Sequence, residues 1–163
     1  MSKRIARCGL LIALAFVFGY LEALIPFSIG IPGVKLGLAN LVVITALYVS
    51  DVPTACLISL IRIVLVGFTF GSPSTMLYSL AGGILSLTVM LLCRHIPVFG
   101  ITGVSVAGGV AHNIGQCLIA LTVLTPAAVI GYLPLLLISG AMAGAVIGLI
   151  AGLLIPRLKK AVP

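Results

Sequence analysis

The sequence contains no tryptophan and very little charge. Of its 163 residues, two are acidic and nine are Lys or Arg, which makes 7% charged, against about 25% in soluble domains. This excludes a soluble globular protein, a disordered chain and the usual kind of nucleic-acid-binding domain, because so few charges cannot cover a water-facing surface. Hydrophobic residues make up 62% of the chain, and 19 residues are glycine. Together with a mean hydropathy of +1.42, this predicts a polytopic α-helical membrane protein.

The sequence also lacks the residue clusters that most catalytic and metal sites need. Its four cysteines contain no C-x-x-C pair, so a disulfide or zinc site is not expected. Glu22 and Asp51, its two acids, are predicted on opposite faces of the membrane. They cannot form the acidic cluster that holds magnesium in enzymes acting on prenyl diphosphates. The chain has no phosphate-binding P-loop pattern either. We predict no catalytic residues, no metal and no cofactor, and therefore a protein that is not an enzyme.

Six apolar segments separated by Pro-, Gly- and Ser-rich turns predict six transmembrane helices. The second segment corresponds to about 22 Å of helix, so we expect it to lie behind other helices or to start below the outer interface. The last one is long enough to tilt, to bend at Pro134 or to begin as a separate short helix. The fold class is therefore all-α, with one membrane domain over residues 1–163 and spans near 8–25, 36–50, 52–70, 73–93, 102–124 and 127–155.

The basic residues orient this bundle. With the N-terminus inside, seven of the nine basic residues fall on the cytoplasmic side. Lys35 then lies in an outer loop and Arg62 within the third span. This positive-inside pattern predicts that both termini are cytoplasmic and that the chain is a multi-pass protein of the cell membrane. The predicted cytoplasmic set is Lys3, Arg4, Arg7, Arg94, Arg157, Lys159 and Lys160.

Several polar side chains lie inside the predicted spans. Arg62 is about midway along its span, where a charge costs about 2.5–3.5 kcal/mol on insertion scales. It either snorkels outward or pairs with Glu22, or it faces a water-accessible pocket. His112 and Gln116 are four residues apart and share one helical face, with Asn113 beside them. These three residues are either interhelical hydrogen-bonding groups or part of a pocket.

By the predicted topology, these residues and polar residues from other spans fall in the outer and middle layers of the membrane. Asp51 precedes Val52-Pro53 and is predicted to cap a helix. Because the inner half offers almost no polar residues, this distribution predicts a cup that is open to the outside. With Lys35 and Arg62 against one acid, the cup should favour an anionic or acceptor-rich ligand. The predicted substrate-binding residues are Glu22, Lys35, Asn40, Arg62, Ser79, His112, Asn113 and Gln116.

Small residues recur at intervals of four in the first and last spans. Such stripes allow helix backbones to approach closely. They serve either packing within the chain or docking of another membrane subunit. The stripes are Gly140, Gly144, Gly148 and Gly152 in the last span, and the pairs Gly9 with Ala13 and Ala15 with Gly19 in the first.

Three segments resemble a known family over almost the whole chain. Residues 33–40 (GVKLGLAN), 79–86 (SLAGGILS) and 111–116 (AHNIGQ) are similar to the family labelled heptaprenyl diphosphate synthase component I, also called the Gx transporter family. That family in turn resembles the substrate-binding membrane subunits (S components) of energy-coupling-factor (ECF) transporters. Those are six-helix proteins that bind micronutrients from outside and dock onto a coupling module of one transmembrane T subunit and two ATPase subunits.

The resemblance implies that this chain is a substrate-capture subunit with an S-component-like bundle. It makes Gly9, Ala13 and Ala15 the candidate residues for contact with the coupling module. The absence of tryptophan disfavours a stacking pocket for a flavin or biotin. Two alternatives stay open: a membrane subunit of a quinone or flavin electron-transfer system, and a non-catalytic subunit associated with a prenyl diphosphate synthase.

Overall fold

The structure, a computed structural model, describes residues 2–24 and 37–161. These residues form helices joined by short turns, which confirms the predicted all-α fold. The helices are α1 (Ser2–Leu24), α2 (Leu38–Val49), α3 (Val52–Phe70), α4 (Pro73–Cys93), α5 (Ile101–Val123) and α6 (Pro126–Ala161).

Five of these helices are long and apolar enough to cross a membrane, and α2 is the shorter sixth. With 12 residues, α2 is about 18 Å long, less than the roughly 30 Å of a bilayer core. It packs against α1, α3 and α6, and residues such as Val43 and Ile44 are 1% exposed. The short second helix therefore lies behind its neighbours, as its length predicted.

Helix α6 is continuous over 36 residues, with Pro134 and Pro156 inside it. Each proline lacks the N–H that would bond to the carbonyl one turn earlier, a loss that membrane helices tolerate. The segment before Pro134 is thus the first turns of α6 and not a separate helix. At about 54 Å, α6 is longer than a bilayer core, and it ends at the basic residues Lys159 and Lys160.

The turn between α2 and α3 is tied to the start of α1. Asp51 caps α3, because its Oδ1 accepts a hydrogen bond from the Thr54 backbone N–H at 2.8 Å. Its Oδ2 accepts one from Arg4 Nη2 at 2.6 Å. The predicted cap is confirmed, and the N-terminus and this turn lie at the same end of the bundle, as the predicted topology requires.

Protonation of Asp51 should weaken the contact between the α2–α3 turn and the start of α1. Hydrogen bonds from Thr54, with the Arg4 charge beside them, lower the pKa of the Asp51 carboxyl. A carboxyl with a lowered pKa stabilises the fold above its unfolded-state pKa and ceases to do so as pH falls through its folded-state pKa. We expect Asp51→Ala to lower the melting temperature at pH 7 more than Asp51→Asn, because asparagine still caps a helix. The difference in melting temperature between wild type and Asp51→Asn should become smaller towards pH 3. An unchanged difference would show that the ionised Asp51 carboxylate does not stabilise the fold.

Helix α5 packs most closely, against α4 on one side and α6 on the other. Glycines permit this. A Cβ at Gly144 would lie 2.7 Å from the Ser105 carbonyl oxygen, and one at Gly115 would lie 2.7 Å from that of Ala81. A Cβ at Gly148 would likewise meet α5, whereas one at Gly152 would have nothing within 4 Å. Three of the four glycines in the α6 stripe therefore serve packing inside the chain.

The small residues of α1 lie on two different faces. A Cβ at Gly9 would meet nothing within 4 Å, and Ala13 is exposed. Ala15 is 0% exposed and belongs to the main core cluster. The expectation that Ala15 shares a docking face with Gly9 and Ala13 is therefore wrong for this structure, because its side chain is covered by the chain's own helices.

Candidate functional site

A cavity of about 320 Å³ lies between the helices, and all six helices contribute to its wall. Seven of the eight predicted substrate-binding residues line it, although they come from five helices. The eighth, Lys35, lies outside the described residues. The seven are Glu22, Asn40, Arg62, Ser79, His112, Asn113 and Gln116.

Arg62 reaches the cavity from the middle of α3. Its Nη2 donates a hydrogen bond to Asn40 Oδ1 at 2.6 Å, which connects α3 to α2. Its Nε is fully buried and has no hydrogen-bond partner. Arg62 therefore lies in the cavity wall and does not snorkel to the membrane surface, and it retains an unused donor.

Glu22 does not form a direct ion pair with Arg62. In the part of the chain that the structure describes, the single ion pair within 4 Å joins Arg4 and Asp51. Glu22 Oε1 instead accepts a hydrogen bond from the Gly37 N–H at 2.6 Å, while its charge attracts the Arg62 guanidinium at longer range. Because Glu22 is engaged elsewhere, the Arg62 guanidinium is not covered by a carboxylate.

Gly37 sets the start of α2 and was not predicted as a site residue. Its φ of 73° lies in the left-handed region, which glycine adopts without strain. This turn directs its N–H to Glu22, and its carbonyl accepts the N–H of Asn40 at 2.8 Å. The turn thus places Asn40 where its side chain meets Arg62. The only sequence signal is a glycine just before a helix.

The polar residues of α5 divide between packing and the cavity. Asn113 Nδ2 donates to the Leu136 carbonyl at 2.5 Å, so Asn113 holds α5 to α6 even though it borders the cavity. Gln116 Nε2 lies 3.4 Å from His112 Nε2, which confirms that these two side chains share a face. Gln116 Oε1 is buried and has no hydrogen-bond partner. Asn113 therefore acts as an interhelical hydrogen-bonding group, whereas His112 and Gln116 form part of the cavity wall.

Close contact between α4 and α5 brings these side chains into one wall. A Cβ at Gly82 would lie 2.8 Å from the His112 carbonyl oxygen, so only glycine fits there without a shift of the backbone. This approach lets Ser79 of α4 line the same cavity as His112 and Gln116. The lining continues past this level to Ser86 and other residues that the sequence did not suggest.

The cavity wall has few charged residues and few side chains that could bind a metal ion. Among the described residues of the lining, Glu22 and Arg62 carry the formal charges. Within residues 2–24 and 37–161, no group of three or more His, Cys, Asp or Glu could hold a metal ion. The chemistry available is hydrogen bonding by a guanidinium, amides, hydroxyls and one imidazole. Such a wall can bind and orient an acceptor-rich molecule.

Residues 11–154 match the family described as heptaprenyl diphosphate synthase component I. The chain belongs to that family. The match extends from α1 to α6 and includes every residue that lines the cavity, so this component I protein is a helical membrane bundle around an internal cavity. The family's description makes component I part of a synthase, which does not by itself make the component catalytic. No curated protein and no solved structure was found to match the chain.

Proposed function

We propose that this component I protein is the substrate-binding membrane subunit (S component) of an ECF-type importer in the cell membrane. It captures a small anionic or acceptor-rich molecule from outside. The observation that carries this proposal is Arg62, a cation in the wall of an internal cavity whose guanidinium has no carboxylate within 4 Å among the described residues. Hydrogen bonds to charged groups contribute about 1.5–3 kcal/mol, and an acceptor bound against this guanidinium would gain that stabilisation.

The size of the cavity supports a small-molecule ligand. Ligand pockets have volumes of about 300–1,000 Å³, and this cavity, at about 320 Å³, lies near the lower limit. The placement of the two acids supports binding over catalysis. Glu22 Oε1 accepts from the Gly37 backbone, and Asp51 caps α3 beside Arg4 at the other end of the bundle, so the two carboxylates do not come together as a metal-binding pair.

Mass spectrometry of the small molecules retained by the gently solubilised protein tests this proposal. We expect one compound at close to one copy per chain, with a carboxylate, a phosphate or several carbonyl oxygens. A folded protein that carries nothing, both alone and together with its coupling module, would overturn the proposal. A retained flavin or quinone would instead favour an electron-transfer subunit.

The exposed face of α1 supplies a second test, because an S component must dock onto its module. We expect Gly9→Leu and Ala13→Leu to block copurification with the T subunit and the ATPases while ligand retention stays intact. A Cβ added at Gly9 meets nothing within 4 Å inside the chain, and Ala13 is exposed, so we expect both variants to fold. Gly131→Leu, at another open position, is the matched control. Normal copurification of both α1 variants would exclude this face.

The family's name favours a second candidate function, that of a non-catalytic membrane subunit of a prenyl diphosphate synthase. On this hypothesis the partner is a soluble synthase and not an ATPase module. Affinity purification of the tagged chain from its native membrane separates the two hypotheses. Recovery of a synthase with no ATPase would support the second candidate and count against the importer.

A further inference from the structure

The cavity is elongated. Past Thr75, its α4 lining continues from Ser79 to Met90, and its α5 lining runs from Gln116 to Ser105. Each stretch advances eleven residues along a helix, or about 16 Å. A Cβ at Gly108 would lie 2.6 Å from Met90 Cγ, so the far ends of the two stretches lie at the same level. The cavity therefore extends well beyond Arg62, towards the predicted cytoplasmic side.

Its two ends differ in chemistry. The end near Arg62, here called the polar end, also carries Glu22, Asn40, His112 and Gln116. The opposite end, here called the inner arm, is lined by residues of α2, α4, α5 and α6 and contains no charged lining residue. Ser86 and Ser105 supply its polar side chains. The inner arm is lined by Ile44, Ser86, Met90, Ser105, Gly144 and Ile147.

The inner arm lies beside a close helix contact and ends at a flexible side chain. Gly109 and Gly140 bring the α5 and α6 backbones into contact beside it, so a bulky ring would have to separate two helices. Met90, which is 5% exposed, has an unbranched side chain that adapts to irregular space. A slender apolar group fits this arm, and its length is limited where it meets Met90.

We propose that the ligand is an amphiphilic anion, with its oxyanion group at Arg62 and a slender, unbranched apolar part in the inner arm. This inference rests on the proposed function and specifies its substrate class. A wholly polar anion would leave the inner arm as unfilled apolar space, and a neutral apolar molecule would leave the Arg62 charge without a counter-charge within 4 Å. A molecule with both parts satisfies both ends of the cavity at once.

The test uses straight-chain carboxylates from acetate to decanoate, and the matching n-alkyl phosphates, as probes. Binding is measured by calorimetry on protein in lipid nanodiscs from which retained compounds have been washed out. The heat measured with nanodiscs that carry the Arg62→Gln variant is subtracted, which removes the contribution of partition into the lipid. We expect affinity to rise by about fourfold per methylene and then to stop rising once the inner arm is full. The series that binds more tightly identifies the oxyanion as a carboxylate or a phosphate.

Two substitutions of lining residues should move the length limit in opposite directions. Met90→Ala lengthens the arm and should extend the longest chain that binds. Ala143 also lines the cavity, next to Gly144 of the inner arm, so Ala143→Leu fills space there and should shorten that chain. Acetate affinity should be unchanged in both variants. Arg62-dependent affinity that is the same for acetate and decanoate would overturn this inference and leave the proposed function standing. A folded wild type that binds none of the probes would overturn both.

Discussion

Arg62→Gln should release the retained ligand, with affinity reduced about 10- to 100-fold. Hydrogen bonds to a charged group contribute about 1.5–3 kcal/mol, and each 1.4 kcal/mol is a tenfold change in affinity. Arg62 lines the cavity, and among the described residues no carboxylate lies within 4 Å of its guanidinium, so a ligand oxyanion can pair with it. The measurement is the dissociation constant of the compound identified by mass spectrometry.

A matched control separates this effect from a loss of charge in general. Arg94 lies at the end of α4, and its Nη1 donates to the Leu47 carbonyl at 3.3 Å. Arg94 is not among the residues that line the cavity, so Arg94→Gln should leave affinity unchanged. Arg62→Gln should not destabilise the empty bundle, since it removes a charge that is costly in mid-membrane. If both variants lost affinity equally, or if neither lost any, Arg62 would not be the residue that binds the ligand.

Gly144→Ala should destabilise the bundle by about 1–3 kcal/mol, the usual cost of forcing an extra methyl group into a packed interface. The new Cβ would lie 2.7 Å from both the Ser105 carbonyl oxygen and Val106 Cα. Both are backbone atoms, so neither can rotate away as the end of a flexible side chain could. Relief requires that α5 and α6 move apart, which should lower the melting temperature in detergent.

Gly152→Ala is the control, eight residues further along the same stripe. An added Cβ there meets nothing within 4 Å, and alanine is favoured over glycine in a helix by up to about 1 kcal/mol. Its melting temperature should equal or exceed that of the wild type. If both variants melted at the same temperature, the close contact between α5 and α6 would not exist in the folded protein.

Much of the fold could be predicted because its determinants are local. Long apolar runs, prolines at helix starts and Asp51 before Val52-Pro53 placed most helix boundaries within a few residues of those observed. The polar residues of the cavity could be predicted as a group, because each stands out against an apolar sequence. Their role in binding a ligand stays a prediction.

The features that were missed depend on which helix faces meet. Ala13 and Ala15 are two residues apart, so on a helix they cannot share a face. Helical geometry alone would have removed Ala15 from the docking surface. Asn113, by contrast, could be assigned to packing only once the Leu136 carbonyl was seen beside it. The inner arm consists of ordinary small and apolar residues whose role emerges only from the packing of four helices.

The glycine contacts of α5 also determine how a bound molecule can leave. Helices α4, α5 and α6 touch through backbone atoms, and such contacts do not loosen by side-chain rotation. The contacts that α1, α2 and α3 make with each other and with the rest are less extensive. On the proposed function, we expect the exit path to open between the helices that carry Arg62 and Asn40 and the wall that carries His112 and Gln116. The residence time of the bound molecule would then report the rate at which α1–α3 separate from the α4–α6 unit.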